Sequence, residues 1–122
     1  MPKKVLLVGH CGPDSSYLRA AIRAAAPDAV VQSTCDAAEF ERHLAAGIDL
    51  LLVNRVLDGD FFQASGVELI RSLHGLHPGL KTMLVSNLPD AQAQARAAGA
   101  IPGFGKSDLG KPAVVAALKE AL

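Results

Sequence analysis

Three short, unbroken apolar runs constrain this chain most: Val5-Leu6-Leu7-Val8, Leu50-Leu51-Leu52-Val53 and Met83-Leu84-Val85. A strand with one wet face would alternate apolar with polar residues, and these do not. They read as strands covered on both faces, the condition of a parallel sheet between two layers of helix. Ala29-Val30-Val31 is a weaker run of the kind that suits a sheet edge.

Helical periodicity fills the intervals. Leu18, Ala21, Ile22 and Ala25 share one face after Asp14-Ser15-Ser16 and stop before Pro27. Asp36 and Glu39 have capping-box spacing ahead of Phe40 and Leu44, with Gly47 as the stop. Val67, Ile70 and Leu73 form a third face that Gly75 is expected to end, and Pro89-Asp90 opens an alanine-rich helix that ends at Gly99. Pro112 suits the first turn of a last helix facing inward through Val115, Leu118 and Leu122. With a fifth strand from about Ala100 to Gly105 the order is (βα)5. That is an α/β, flavodoxin-like three-layer sandwich whose open five-stranded parallel sheet has the order 2-1-3-4-5. Pro102, Gly103 and Gly105 make the fifth strand poor by propensity, so it is expected at an edge. Sheets of this kind hold their sites beyond the carboxyl ends of the strands, where the loops of the first and third strands meet. The segments to inspect are Gly9 to Asp14, Asn54 to Ser65, Ser86-Asn87 and Lys106-Ser107.

Composition narrows the class of function. With 122 residues, 50% of them hydrophobic, the chain has enough material for a single domain, 1–122, without a metal or disulfide staple. Twelve Lys and Arg balance twelve Asp and Glu, which disfavours nucleic acid and anionic membranes as partners. The N-terminal segment has neither the apolar length nor the cleavage site of a signal peptide, so a cytoplasmic location is expected. Cys11 and Cys35 form no CxxC and no zinc spacing, and in a reducing compartment a disulfide is the less expected state.

Taken together, VLLVGHCGPD, DLLLVNRVLDGD, ASGVELIRSL, MLVSN and AGAIPGFGKS, in this order and at these strand ends, resemble the receiver domain of two-component response regulators over essentially the whole chain. The resemblance implies a receiver-like fold and phosphorelay signalling. In that family an aspartate after the third strand accepts a phosphoryl group, two acidic residues after the first strand hold Mg²⁺, and a Ser/Thr and a Lys bind the phosphoryl oxygens. A hard divalent cation needs anionic oxygen ligands, and the transferred charge needs cationic and hydroxyl partners. On this chain the acidic pair falls on Gly9 and His10, the acceptor on Asn54, the hydroxyl on Ser86 and the lysine on Lys106. Only Ser86 and Lys106 match. Asn54 is a poor nucleophile, Gly9 has no side chain, and neutral His10 favours softer metals than Mg²⁺.

The expectation is therefore an atypical pseudo-receiver, not an enzyme, with no cofactor and with Mg²⁺ binding lost or weak. It is expected to act independently of phosphorylation by protein–protein contact. Its partner would be a signalling protein such as a histidine kinase or a downstream effector, or a second copy in a homodimer. In the family such contacts use the face of the fourth helix, fifth strand and fifth helix, here alanine-rich from Ala91 to Ala98 and near Val114. The position of the family's switch aromatic, three residues before the lysine, is Gly103, with Phe104 one place later, and Ser107 replaces the proline that usually follows the lysine. The loop after Asn54 is longer than usual and carries Asp58, Asp60, Phe61 and Phe62, read either as a turn with packed rings or as an interaction loop. Two readings stand beside this one: a sensor of a small anion or of redox state at the strand ends, in which His10, Cys11 and Cys35 come together, and a phosphocysteine-type carrier using Cys11.

Overall fold

A computed structural model of the chain describes residues 2–10, 12–57 and 65–122. The apolar runs form β1 (Lys4–Val8), β3 (Leu50–Asn54) and β4 (Lys81–Val85), and the weaker run forms β2 (Val30–Thr34). All three pairings are parallel and the order is β2-β1-β3-β4. Five helices alternate with them: α1 (Gly12–Ala25), α2 (Ala37–Ala46), α3 (Gly66–Leu76), α4 (Pro89–Ala97) and α5 (Pro112–Ala121). None of the described helices is long and apolar enough to cross a membrane.

The continuous apolar runs are explained by what their alternate residues touch. Leu6, Val8, Leu51, Val53 and Leu84 point to one face and pack with Phe40, Ile70, Leu73 and Ala95 from α2, α3 and α4. Val5, Leu7, Leu50, Leu52, Met83 and Val85 point to the other and pack with Leu18, Ile22, Val114 and Leu118 from α1 and α5. Both faces are covered by apolar side chains, with Thr82 of β4 a buried polar exception, so no alternation survives in the sequence.

Local signals placed most helix ends. Asp36 caps α2 by accepting from the Ala38 N–H at 2.8 Å, and Gly47 takes the positive φ of 101° that closes it. Two expectations need correcting. Gly75 does not stop α3, which continues to Leu76 and ends at His77 before Pro78-Gly79. A glycine in a last turn costs only about 1 kcal/mol, less than a neighbouring proline imposes. In α5 Val114 rather than Val115 is buried alongside Leu118 and Ala121, with Leu122 partly buried at the end.

The larger correction concerns the fifth strand. Among the described residues the sheet has four strands, not five, and the segment after α4 keeps only a single parallel bridge, Phe104 to Val85. Ile101 N–H donates to Thr82 O and Ser86 N–H to Phe104 O, both at 2.9 Å. Between these bonds Pro102 has no N–H to give. Gln92 of α4 supplies it instead: its side-chain amide donates to Leu84 O at 2.9 Å, Ser86 O at 3.0 Å and Phe104 O at 3.3 Å. A side chain thus stands where a backbone ladder was expected.

Candidate functional site

Beyond the carboxyl ends of β1, β3 and β4 lies an open cleft of about 310 Å³, lined by Asn54, Arg55, Val56, Val85, Ser86, Asn87, Leu88 and Lys106. Its position is the one the topology predicts. What its polar groups do is a separate matter, and each can be followed to a partner.

Asn54 ends β3 half-buried. Its amide nitrogen donates to Gly9 O at 3.1 Å and to Val56 O at 2.8 Å, and its amide oxygen accepts from the Arg55 N–H at 3.1 Å. Two carbonyls facing one nitrogen fix the orientation of the amide, because an oxygen there would meet two acceptors. Gly9 turns the chain at φ 73°, in the left-handed region where glycine is favoured, and so presents that carbonyl. His10 is buried and is not among the described residues that line the cleft, with Nε2–H donating to Leu52 O at 2.8 Å.

Ser86 is also buried, and its hydroxyl oxygen accepts from the Leu88 N–H at 3.1 Å, holding the turn into α4. Asn87 stitches the same turn to the segment after Phe104, where its side-chain oxygen accepts from the Ser107 N–H at 3.1 Å and the Ser107 hydroxyl at 2.9 Å. Ser107, in the place of the usual proline, therefore contributes two donors that proline lacks. Lys106 reaches across to Asp14 in the first turn of α1 and pairs with it at 2.5 Å, both side chains about one third exposed or less.

The switch-equivalent positions also have structural occupations. Gly103 lies so close to β4 that a Cβ there would stand 2.2 Å from Leu84 O, and Phe104 is buried with the α1 and α5 side of the core. An aromatic residue at position 103 has no room.

Of the remaining sequence candidates, Cys35 comes beside His10, its thiol donating to His10 O at 3.6 Å. Cys11, Asp58, Asp60, Phe61 and Phe62 lie outside the described residues. The insert that carries the last four is closed at its neck by an antiparallel bridge between Val56 and Ser65, with Gly66 N–H donating to Arg55 O at 2.8 Å. Asp14 and Gln92 are the residues that sequence reasoning did not connect to their partners. Asp14 was visible as an acid in the right loop, whereas nothing in the α4 sequence distinguishes Gln92 from its exposed neighbours.

The donor set described here does not fit Mg²⁺. The cation requires several anionic or carbonyl oxygens converging on one point. Gly9 carries no side-chain ligand and its carbonyl accepts from Asn54, Asn54 turns its N–H groups inward, His10 is committed to Leu52, and Asp14 is drawn to Lys106. Among the described residues no group of three or more acidic, His or Cys side chains is placed to hold a metal ion.

No protein-family model matches the chain, and no curated protein matches it in sequence. Its similarity is to solved structures. A Chloroflexus aurantiacus J-10-fl protein assigned as a response regulator superposes with a TM-score of 0.81 at 17% identity, covering 99% of this chain and 98% of that one. The non-phosphorylated receiver domain of the stress response regulator RcsB from Escherichia coli gives 0.76 at 17% identity over 98% and 95%. The signal receiver domain of an HD domain-containing protein from Pseudomonas fluorescens Pf-5 gives 0.72 at 22% identity over 99% and 86%. At these identities the likeness is one of fold: a receiver-like α/β sandwich on a parallel sheet.

Proposed function

We propose that this chain is an atypical receiver domain of two-component signalling that transmits by protein contact and independently of phosphorylation. One observation carries the reading: the Asn54 amide bridges Gly9 O and Val56 O. A carboxylate in that place would face two carbonyl oxygens at hydrogen-bond distance with no proton to offer either. The position therefore favours an amide, which goes further than the loss of a nucleophile.

The neighbouring groups support the same reading. Lys106 and Ser86, which the resemblance assigns to phosphoryl oxygens, are engaged by Asp14 and by the Leu88 N–H. Gln92 and Gly103 tie down the segment that the family moves on activation. A pocket whose polar groups satisfy one another gains little from a phosphoryl group and has no slack in which to respond. On this reading the domain is no enzyme, has no cofactor and works in the cytoplasm. It binds a signalling protein, a histidine kinase or a downstream effector, or pairs with a second copy.

The test is an amide NMR titration of the whole chain with Mg²⁺ and then beryllofluoride, a phosphoryl mimic, on the native protein and on Asn54→Asp. Both are expected to show no saturable shifts at positions 54, 86 and 106. Saturable shifts in the native protein would overturn the reading. Shifts in Asn54→Asp alone would mean that only the nucleophile had been lost.

A further inference from the structure

The structure assigns the cleft beyond β3 and β4 as a docking surface for a protein segment that carries a carboxylate next to an aliphatic or aromatic side chain. This rests on the contact-only reading above and names its partner's chemistry. Among the described residues Val56 and Leu88 are exposed large hydrophobics, at 52% and 49%, and both line this one cleft. They come from different elements, Val56 from the turn after β3 and Leu88 from the cap of α4, so their meeting is a product of the fold. Apolar side chains left in water around a concavity are where a partner's anchor gains most.

The charge of the lining selects the rest of the occupant. Among the described residues Arg55 and Lys106 line the cleft and no carboxylate does. Lys106 is balanced by Asp14 from outside the lining, which leaves the exposed Arg55 guanidinium as the net charge among the described lining residues. The floor is already satisfied by Asn54, Ser86 and Asn87. It therefore makes no demand for a multiply charged ligand, and an apolar anchor with a carboxylate beside it suits the surface better than a phosphate. At 310 Å³ the cleft admits side chains rather than a whole element. A planar guanidinium favours a carboxylate because the two can share paired hydrogen bonds.

The experiment is selection of a random dodecapeptide library displayed on phage against the whole chain, followed by affinity measurement of the winning peptides on variants. Arg55→Glu, Val56→Ser and Leu88→Asn change exposed side chains and leave the backbone bonds of Val56 O and Leu88 N intact. The expected winners carry Asp or Glu adjacent to Leu, Ile or Phe. They should weaken about tenfold or more on Arg55→Glu and severalfold on each apolar variant. Winners without that pairing, winners indifferent to Arg55→Glu and Val56→Ser, or no enrichment at all would overturn the assignment. The two failures are distinguishable. A beryllofluoride response removes the contact-only reading whatever the library yields, whereas a silent pocket with no acidic–apolar winners removes this docking surface alone.

Discussion

The two halves of the sheet are held together by different means. On the β2-β1-β3 side, backbone ladders pair strand to strand in unbroken parallel register, and side-chain bonds such as those of Arg19 to Val31 O at the β2 edge and of Asn54 to Gly9 O at the end of β3 only supplement them. On the β4 side the outermost segment is attached by two backbone bonds and by side chains: Gln92 to three carbonyls, and Asn87 to Ser107. The ladder half depends on composition and the stitched half on individual residues. The stitching residues Asn87 and Ser107 stand beside Ser86 and Lys106 at the cleft, so the individually held half of the sheet is also the half that borders the candidate site.

Large effects should come from the ladder half. Leu52 is fully buried between β1 and β4 neighbours, and Leu52→Ala should cost about 2–5 kcal/mol in urea unfolding, transfer and cavity together. Gln92→Leu keeps the volume but strips a donor from three carbonyls, and should cost about 1–3 kcal/mol. Amide exchange separates the two. Gln92→Leu should release protection at positions 84–86 and 101–105 while β1 and β2 stay protected, and an even loss across the sheet would mean that the two halves are held alike.

Asn54→Asp probes the join between the halves and carries a pH signature. The variant carboxylate faces Gly9 O and Val56 O, so folding favours its protonated form and raises its pKa above the unfolded value. The penalty, about 1–2 kcal/mol, is therefore full above the folded pKa and vanishes below the unfolded one. Unfolding curves of variant and native protein should converge as pH falls from 8 to 4, and curves that diverge would show that Asn54 is held by something other than its two donors.

The ladder half was legible because burial on both faces leaves no choice of residue. Val5 to Val8 and Leu50 to Val53 could be read as central strands without knowing what covers them, and Asp36 with Gly47 marked a helix by local chemistry alone. The stitched half was only partly legible. Pro102, Gly103 and Gly105 did announce a poor strand, but the sequence could not show that a glutamine from another element would replace the missing ladder. A lone Gln among alanines has no periodicity and no spacing to mark it. Topology pointed to the strand ends where the cleft lies, and the identities at 9, 10 and 54 departed visibly from the pattern of the family that the sequence resembles. That the Asn54 amide faces two carbonyls depends on the turn at Gly9, which is a property of the folded chain.

The smallest expected effect concerns the ion pair that joins α1 to the stitched half. Asp14 and Lys106 are 92 residues apart in sequence and about 70% covered, enough to direct the pair and too little to shield it from salt. A double-mutant cycle with Asp14→Asn and Lys106→Met should return a coupling of about 0.5–1 kcal/mol at low ionic strength, shrinking by more than half in 1 M NaCl. Because both side chains are partly exposed to water, neither variant should unfold the domain. Lys106→Met should also leave the amide spectrum of β1 and β2 unchanged and shift only signals near positions 14 and 105–107. A coupling of several kcal/mol that ignored salt would instead mean that Lys106 organises the site, and the pocket's stability would then be electrostatic rather than a matter of backbone carbonyls and side-chain amides.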